Sequence, residues 1–163
     1  MVAEGDGAKL RGVMESILQP FHARGVRYLL IGGQALQLSG APRASLGWDF
    51  FIPPDDSENL DKINDLLGSI VREPVLPLGE HGENRVQVFE ASDWLLQFHL
   101  TVPGMDSFHV AELAGVERRT ALGTPVRCAS PRHLLSAKLA ADRSEDQADI
   151  QFLMEIVKQS VSS

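Results

Sequence analysis

Cysteine is nearly missing from this chain of 163 residues, where Cys128 stands alone. One thiol allows no intramolecular disulfide and no thiolate-built metal centre, which fits a reducing, cytoplasmic setting. Positive charge is scarce as well. Fifteen Lys and Arg against 22 Asp and Glu leave a formal charge of −7. That excludes a broad nucleic-acid surface, which needs a basic face to neutralise phosphates, but not a local pocket for a triphosphate. No apolar run approaches the length that spans a bilayer. The polar start MVAEGDGAKLRGVM has no signal-peptide core, so no membrane association is expected. There is no internal repeat, low-complexity segment or linker.

What is present is ordinary for a globular protein: 44% hydrophobic and 23% charged residues, enough for one domain over 1–163. Helical spacing predicts an amphipathic helix over 9–23 from Leu10, Val13, Met14, Ile17, Leu18 and Phe21, with Pro20 as a kink or stop. Val26–Ile31 reads as a buried strand, Gln34–Ser39 as a short helix and Leu46–Ile52 as a second strand ended by Pro53-Pro54. A helix over 57–70, capped by Asp55, Asp56 or Ser57, carries Leu60, Ile63, Leu66, Leu67 and Ile70 as its stripe. Arg85–Glu90 and Trp94–Val102 form a hairpin. A short helix over 106–113 and strands near 116–121 and 125–128 follow. Ser130-Pro131 opens a helix. Ser144 caps a last one, with Ile150, Leu153, Met154 and Val157 inward. The expected fold class is α+β, a mixed sheet flanked by helices with two C-terminal helices.

Residues 28–52, YLLIGGQALQLSGAPRASLGWDFFI, carry the chemistry. A strand running into Gly32-Gly33 and then a helix presents free backbone N–H groups suited to phosphate, and glycine lets an anion approach closely. A plain structural turn is the alternative. In the next strand, alternation places residues 47, 49 and 51 on one face and Trp48, Phe50 and Ile52 on the other. Asp49 is then a lone carboxylate in an apolar strand. A buried acid needs a partner: a divalent metal would serve, as would an arginine or a turn that the carboxylate caps.

This stretch resembles the nucleotidyltransferase superfamily that includes DNA polymerase beta, most closely its small bacterial AbiEii-type and minimal members. Their signature is Gly-Gly, a spacer, then Asp-x-Asp or Asp-x-Glu on a strand. Gly32-Gly33-Gln34-Ala35-Leu36, Gly40-Ala41-Pro42-Arg43-Ala44-Ser45 and Trp48-Asp49 follow it. Register decides what is retained. Thirteen residues, 34–46, precede Gly47, so the first acid position falls on Gly47 and the second on Asp49. The resemblance implies that Asp49 is the catalytic, metal-binding acid that survives and Gly47 a replaced aspartate. It implies a nucleotide held by Gly32, Gly33, Gln34, Arg43, Ser45, Lys138 and Arg143. The third acid position falls on Gln97 by one count and His99 by another, and neither is an acid. His99 could act as a base or metal ligand, or be a half-buried histidine satisfied by a hydrogen bond.

The segment Leu134–Arg143 with Asp146 and Asp149 is similar to the family's C-terminal pattern. There Lys138 and Arg143 face phosphate and Asp146 shapes the pocket wall, or the two acids cap the last helix and pair with Arg143 or Lys138. Two functions follow from the resemblance. One is a degenerate member that binds a nucleotide, or a cognate toxin or antitoxin protein, without turnover. The other is active Mg²⁺-dependent transfer of a nucleoside monophosphate from an NTP to a hydroxyl on a protein, RNA or small molecule. A lone carboxylate is poor company for two divalent ions, which favours the first. The remaining features have bland readings: His81, Glu80 and Glu83 in a solvated loop, Arg118-Arg119 at a solvated strand end, and Trp48 and Phe50 in the core. His22, His109 and His133 lack metal-site spacing.

Overall fold

A computed structural model describes residues 14–91 and 93–162. Helix α1 is described over residues 14–23; the expected contributions of Leu10 and Val13 lie outside the described residues. It continues through Pro20, whose carbonyl accepts from Arg24 N at 2.9 Å. Gly25 then ends it at φ +66°, with Val26 N bonded back to Phe21 O in the closing pattern typical of helix C-termini.

Six strands form one mixed sheet in the order β3-β4-β2-β1-β6-β5. They are β1 (Leu29–Ile31), β2 (Gly47–Phe51), β3 (Val86–Ala91), β4 (Trp94–His99), β5 (Val116–Arg119) and β6 (Pro125–Cys128). The helices after α1 are α2 (Gly32–Leu38), α3 (Ser57–Leu67), α4 (Phe108–Leu113), α5 (Pro131–Ala141) and α6 (Gln147–Ser162). The short central strand β1 runs antiparallel to β2 and parallel to β6, while β2 runs parallel to β4. This is the α+β arrangement read from the sequence, with two helices at the C-terminus.

The core lies on the face of β2 and β4 that carries Trp48, Phe50, Leu96 and Phe98, all 8% exposed or less. Phe50 stacks on Phe98 at 5.3 Å and meets Phe21 of α1 edge-on at 5.7 Å. Trp48 and Phe50 are therefore core residues, as expected. On the opposite face Phe51 packs on Phe108 of α4. Alternation leaves Gly47, Asp49, Gln97 and His99 on that same opposite face, and these are the residues of interest.

Several local expectations need correction. Helix α2 begins at Gly32, so both glycines lie within its first turn instead of preceding it. Of the candidate caps for α3, Asp56 accepts from Asn59 N, and the helix stops at Leu67, short of Ile70. Ser144 does not cap α6. It opens a 3-10 turn, Ser144–Asp146, that feeds into that helix. Met154 is 51% exposed, because α6 buries only a narrow stripe centred on Leu153. Arg119 is exposed as a strand end should be, but Arg118 is half-buried, and its Nε has no hydrogen-bond partner among the described residues. No described helix is long and apolar enough to cross a membrane.

Candidate functional site

The site starts from Gly32. Its backbone sits at φ +73°, and a β-carbon there would stand 2.5 Å from Asp49 Oδ2. Both facts demand glycine: the first is a left-handed conformation that side chains disfavour, and the second is a near-collision with a carboxylate. The β1–β2 ladder causes this closeness, because Ile31 pairs with Asp49 and the chain turns into α2 at the next residue.

Gly33 serves a second cluster. A β-carbon on it would lie 2.8 Å from Ser45 Oγ and 3.3 Å from Arg43 Nη2. Ser45 Oγ donates to Gly47 O at 3.1 Å and takes Gly47 N at 3.3 Å, folding the approach to β2. Gln34 is buried and donates from Nε2 to Ser45 O. Its amide fastens α2 to the loop over residues 39–46.

Asp49 has a partner. His99 Nε2 lies 2.9 Å from Asp49 Oδ1, and both side chains are about one-fifth exposed. The ladder settles which residue stands where. Gln97 pairs with Asp49, and His99 pairs with Phe51, two residue pairs further along. The imidazole leans back to the carboxylate from that step. Asp49 is thus satisfied by a histidine, and not by the arginine, turn or metal that the sequence suggests.

The C-terminal helices bring the remaining residues. Asp149 receives Arg43 Nη1 and, on the same oxygen, Lys138 Nζ at 3.3 Å. Asp146 takes Lys138 Nζ at 3.1 Å and a two-pronged grip from Arg143, at 2.8 and 3.2 Å. Both acids are buried, 3% and 8% exposed. Burial pushes the Asp146 carboxyl up, but the hydrogen bonds from Arg143 and Lys138 outweigh it and leave it below the ordinary carboxylate range. The same pairing raises the Arg143 guanidinium. Lys138 and Arg143 therefore spend their charge on internal carboxylates. Arg43 spends one nitrogen there and keeps the other over Gly33.

Magnesium prefers near-octahedral oxygen coordination. Here one carboxylate oxygen is engaged by His99, the other lies against Gly32, and the flanking positions are Gly47 and Gln97. No group of three or more His, Cys, Asp or Glu side chains among the described residues is placed to hold a metal. The residues present do not fit a metal pair. Gly47 itself is not crowded, since a β-carbon on it would meet nothing nearer than Leu95 O at 3.9 Å.

The other histidines are dispersed. His109 sits between Arg27 and Asp55, and His133 between Ser130 and Asp106. His22 and His81 are exposed. Two features escaped sequence reasoning. The Arg43–Asp149 pair spans 106 positions, and no local pattern announces it. A cleft of about 590 Å³ between Pro53–Asn64 and Pro74–Pro77 lies beyond the C-terminal ends of β2 and β4, away from Gly32. Its wall is held by amide side chains, with Asn64 bridging Val75 and Gln87 bridging Leu76.

No protein-family model matches this sequence, and no curated protein matches it. Solved structures do. The crystal structure of ANT(2")-Ia in complex with adenylyl-2"-tobramycin superposes with a TM-score of 0.59 at 19% identity, covering 90% of this chain and 87% of that one. The solution structure of the antibiotic-resistance factor ANT(2")-Ia gives 0.46 at 20% identity, covering 96% and 95%. A Thermotoga maritima protein described as a nucleotidyltransferase gives 0.45 at 11% identity, with the same coverage. The last two scores are too low to bear on the fold, whereas the first spans nearly all of both chains. The chain thus has the mixed-sheet α+β fold of ANT(2")-Ia, the nucleotidyltransferase fold.

Proposed function

We propose that this chain is a degenerate nucleotidyltransferase-fold protein that holds the phosphates of a nucleotide without transferring its nucleoside monophosphate. The observation that carries this reading is the His99–Asp49 pair at 2.9 Å. It occupies the one carboxylate of β2 that the fold retains, while Gly47 and Gln97 offer no second acid. The phosphates would lie beside Gly33 against Ser45 and Arg43 Nη2, the side-chain groups that stand over that glycine. The glycine turn and the Ala35, Leu36, Arg43 and Ser45 positions support a place beside the small bacterial AbiEii-type and minimal members. The same reading extends to a protein partner, a cognate toxin or antitoxin. Val86, Val88 and Leu95 are 48, 57 and 42% exposed and flank Gln97 and His99 on their face, which supplies an apolar surface for one.

Calorimetric titration with each of the four NTPs, in EDTA and in Mg²⁺, tests it together with transfer of labelled nucleotide. The expected result is binding of comparable strength in both conditions and no transfer. Robust Mg²⁺-dependent transfer by the unaltered chain, abolished by Asp49→Ala, would overturn the degenerate reading. Failure of every NTP to bind would overturn nucleotide binding itself.

A further inference from the structure

Arg43 belongs to the loop that faces Gly33, yet its guanidinium is held from α6. Asp149 takes Nη1, and the fork geometry of a guanidinium then fixes the direction of Nη2. That nitrogen is the one 3.3 Å from a β-carbon built on Gly33. An exposed arginine without a partner would lose this direction among its many rotamers. The oxygen that holds Arg43 also faces Lys138 Nζ, and Lys138 is tied in turn to Asp146. A carboxylate that is 8% exposed and shared by two cations is fixed in place by both.

We infer that Asp149 is a positioning residue: it aims the Arg43 guanidinium at the Gly33 turn and so sets how tightly the site holds a polyphosphate. This rests on the phosphate-binding reading above. It adds a dependence of that site on α6, a helix from the far end of the chain, and it divides the cations by role. Arg43 contacts the anion, while Lys138 and Arg143 hold the two carboxylates still.

A double-mutant cycle on affinity for inorganic tripolyphosphate, with ATP in parallel, separates aiming from simple charge. Asp149→Asn removes a negative charge near the site, so by charge alone it should tighten anion binding. Aiming predicts the opposite sign, a loss of about tenfold. Arg43→Met should lose at least as much, and adding Asp149→Asn to Arg43→Met should cost nothing more, since two groups acting through one contact are not additive. Asp149→Glu should recover part of the loss, and Lys138→Met, which removes one of the two cations that fix Asp149, should cost less affinity than Asp149→Asn while lowering the melting temperature. Asp149→Asn strands Lys138 beside an uncharged amide. If that variant does not fold, Lys138→Met with Asp149→Asn removes the stranded ammonium and is read against Lys138→Met alone. Tighter or unchanged binding by Asp149→Asn, or an equal loss with and without Arg43, would overturn the aiming role. Absence of tripolyphosphate and ATP binding by the unaltered chain would instead overturn the phosphate-binding reading on which the role stands.

Discussion

His99 and Asp49 lie on adjacent parallel strands, offset by two residue pairs, and are joined at 2.9 Å. A hydrogen bond of this kind, partly shielded, contributes about 1–2 kcal/mol net. His99→Ala should therefore lower stability by that amount. Asp49→Ala should cost much less in the His99→Ala background than alone. Chemical denaturation of the four proteins of the cycle provides the check, with equal costs in both backgrounds counting against the pair.

Gly47→Asp restores the geometry of an acid two residues before Asp49 on the same strand face. A β-carbon there meets nothing nearer than Leu95 O at 3.9 Å, so the variant should fold. It should gain a Mg²⁺-dependent stabilisation, on the order of 1–3 kcal/mol near saturation, that the unaltered chain lacks. Thermal melts across a magnesium series measure it. Equal magnesium responses in the two proteins would show that a second acid does not complete the site.

Gly32→Ala should be damaging for two independent reasons, the φ of +73° and the 2.5 Å approach to Asp49 Oδ2. Backbone strain of this type costs about 1–3 kcal/mol, and the displaced carboxylate adds the loss of His99. Combining Gly32→Ala with Asp49→Gly removes the collision but not the strain. The double variant should therefore recover only part of the stability in a denaturant titration.

Acid should weaken the C-terminal helices through Asp146. Its carboxyl titrates below the ordinary 3.8 when folded. The stability it contributes is thus present above that value and is lost as pH falls through the folded pKa. Asp56 behaves alike, lowered first by its hydrogen bond from Asn59 N and then by Arg27. Melting temperature should fall below pH 4, and the slope there should be shallower in Asp146→Asn. An unchanged slope would remove Asp146 as a source of the acid sensitivity.

Periodicity and turn chemistry made most of this fold legible. Alternation in Leu46–Ile52 put Asp49 opposite the Trp48–Phe50 face, and counting from Gly33 marked Gly47, because strands and short spacers obey local rules. The role of His99 was not legible. Whether 97 or 99 meets Asp49 depends on strand register plus side-chain reach, and here the ladder chooses Gln97 while the hydrogen bond chooses His99. Asp149 was read as a partner for Lys138, which it is. Its hold on Arg43 crosses the whole chain and depends on how α6 docks, which no pattern in either segment encodes. Met154 shows the limit of periodicity: it follows the inward stripe by spacing, yet it stands exposed in mid-helix, beside the narrow stripe that Leu153 buries.

The solitary thiol has a practical consequence. Cys128 is fully buried in β6, paired with Leu30 of β1, and burial raises its pKa from 9.0 to about 12, leaving almost no thiolate to react at neutral pH. With no second cysteine to confuse the signal, its labelling by a thiol reagent becomes a clock for opening of the central sheet. Any ligand that seats at the glycine turn should slow that clock in proportion to its occupancy.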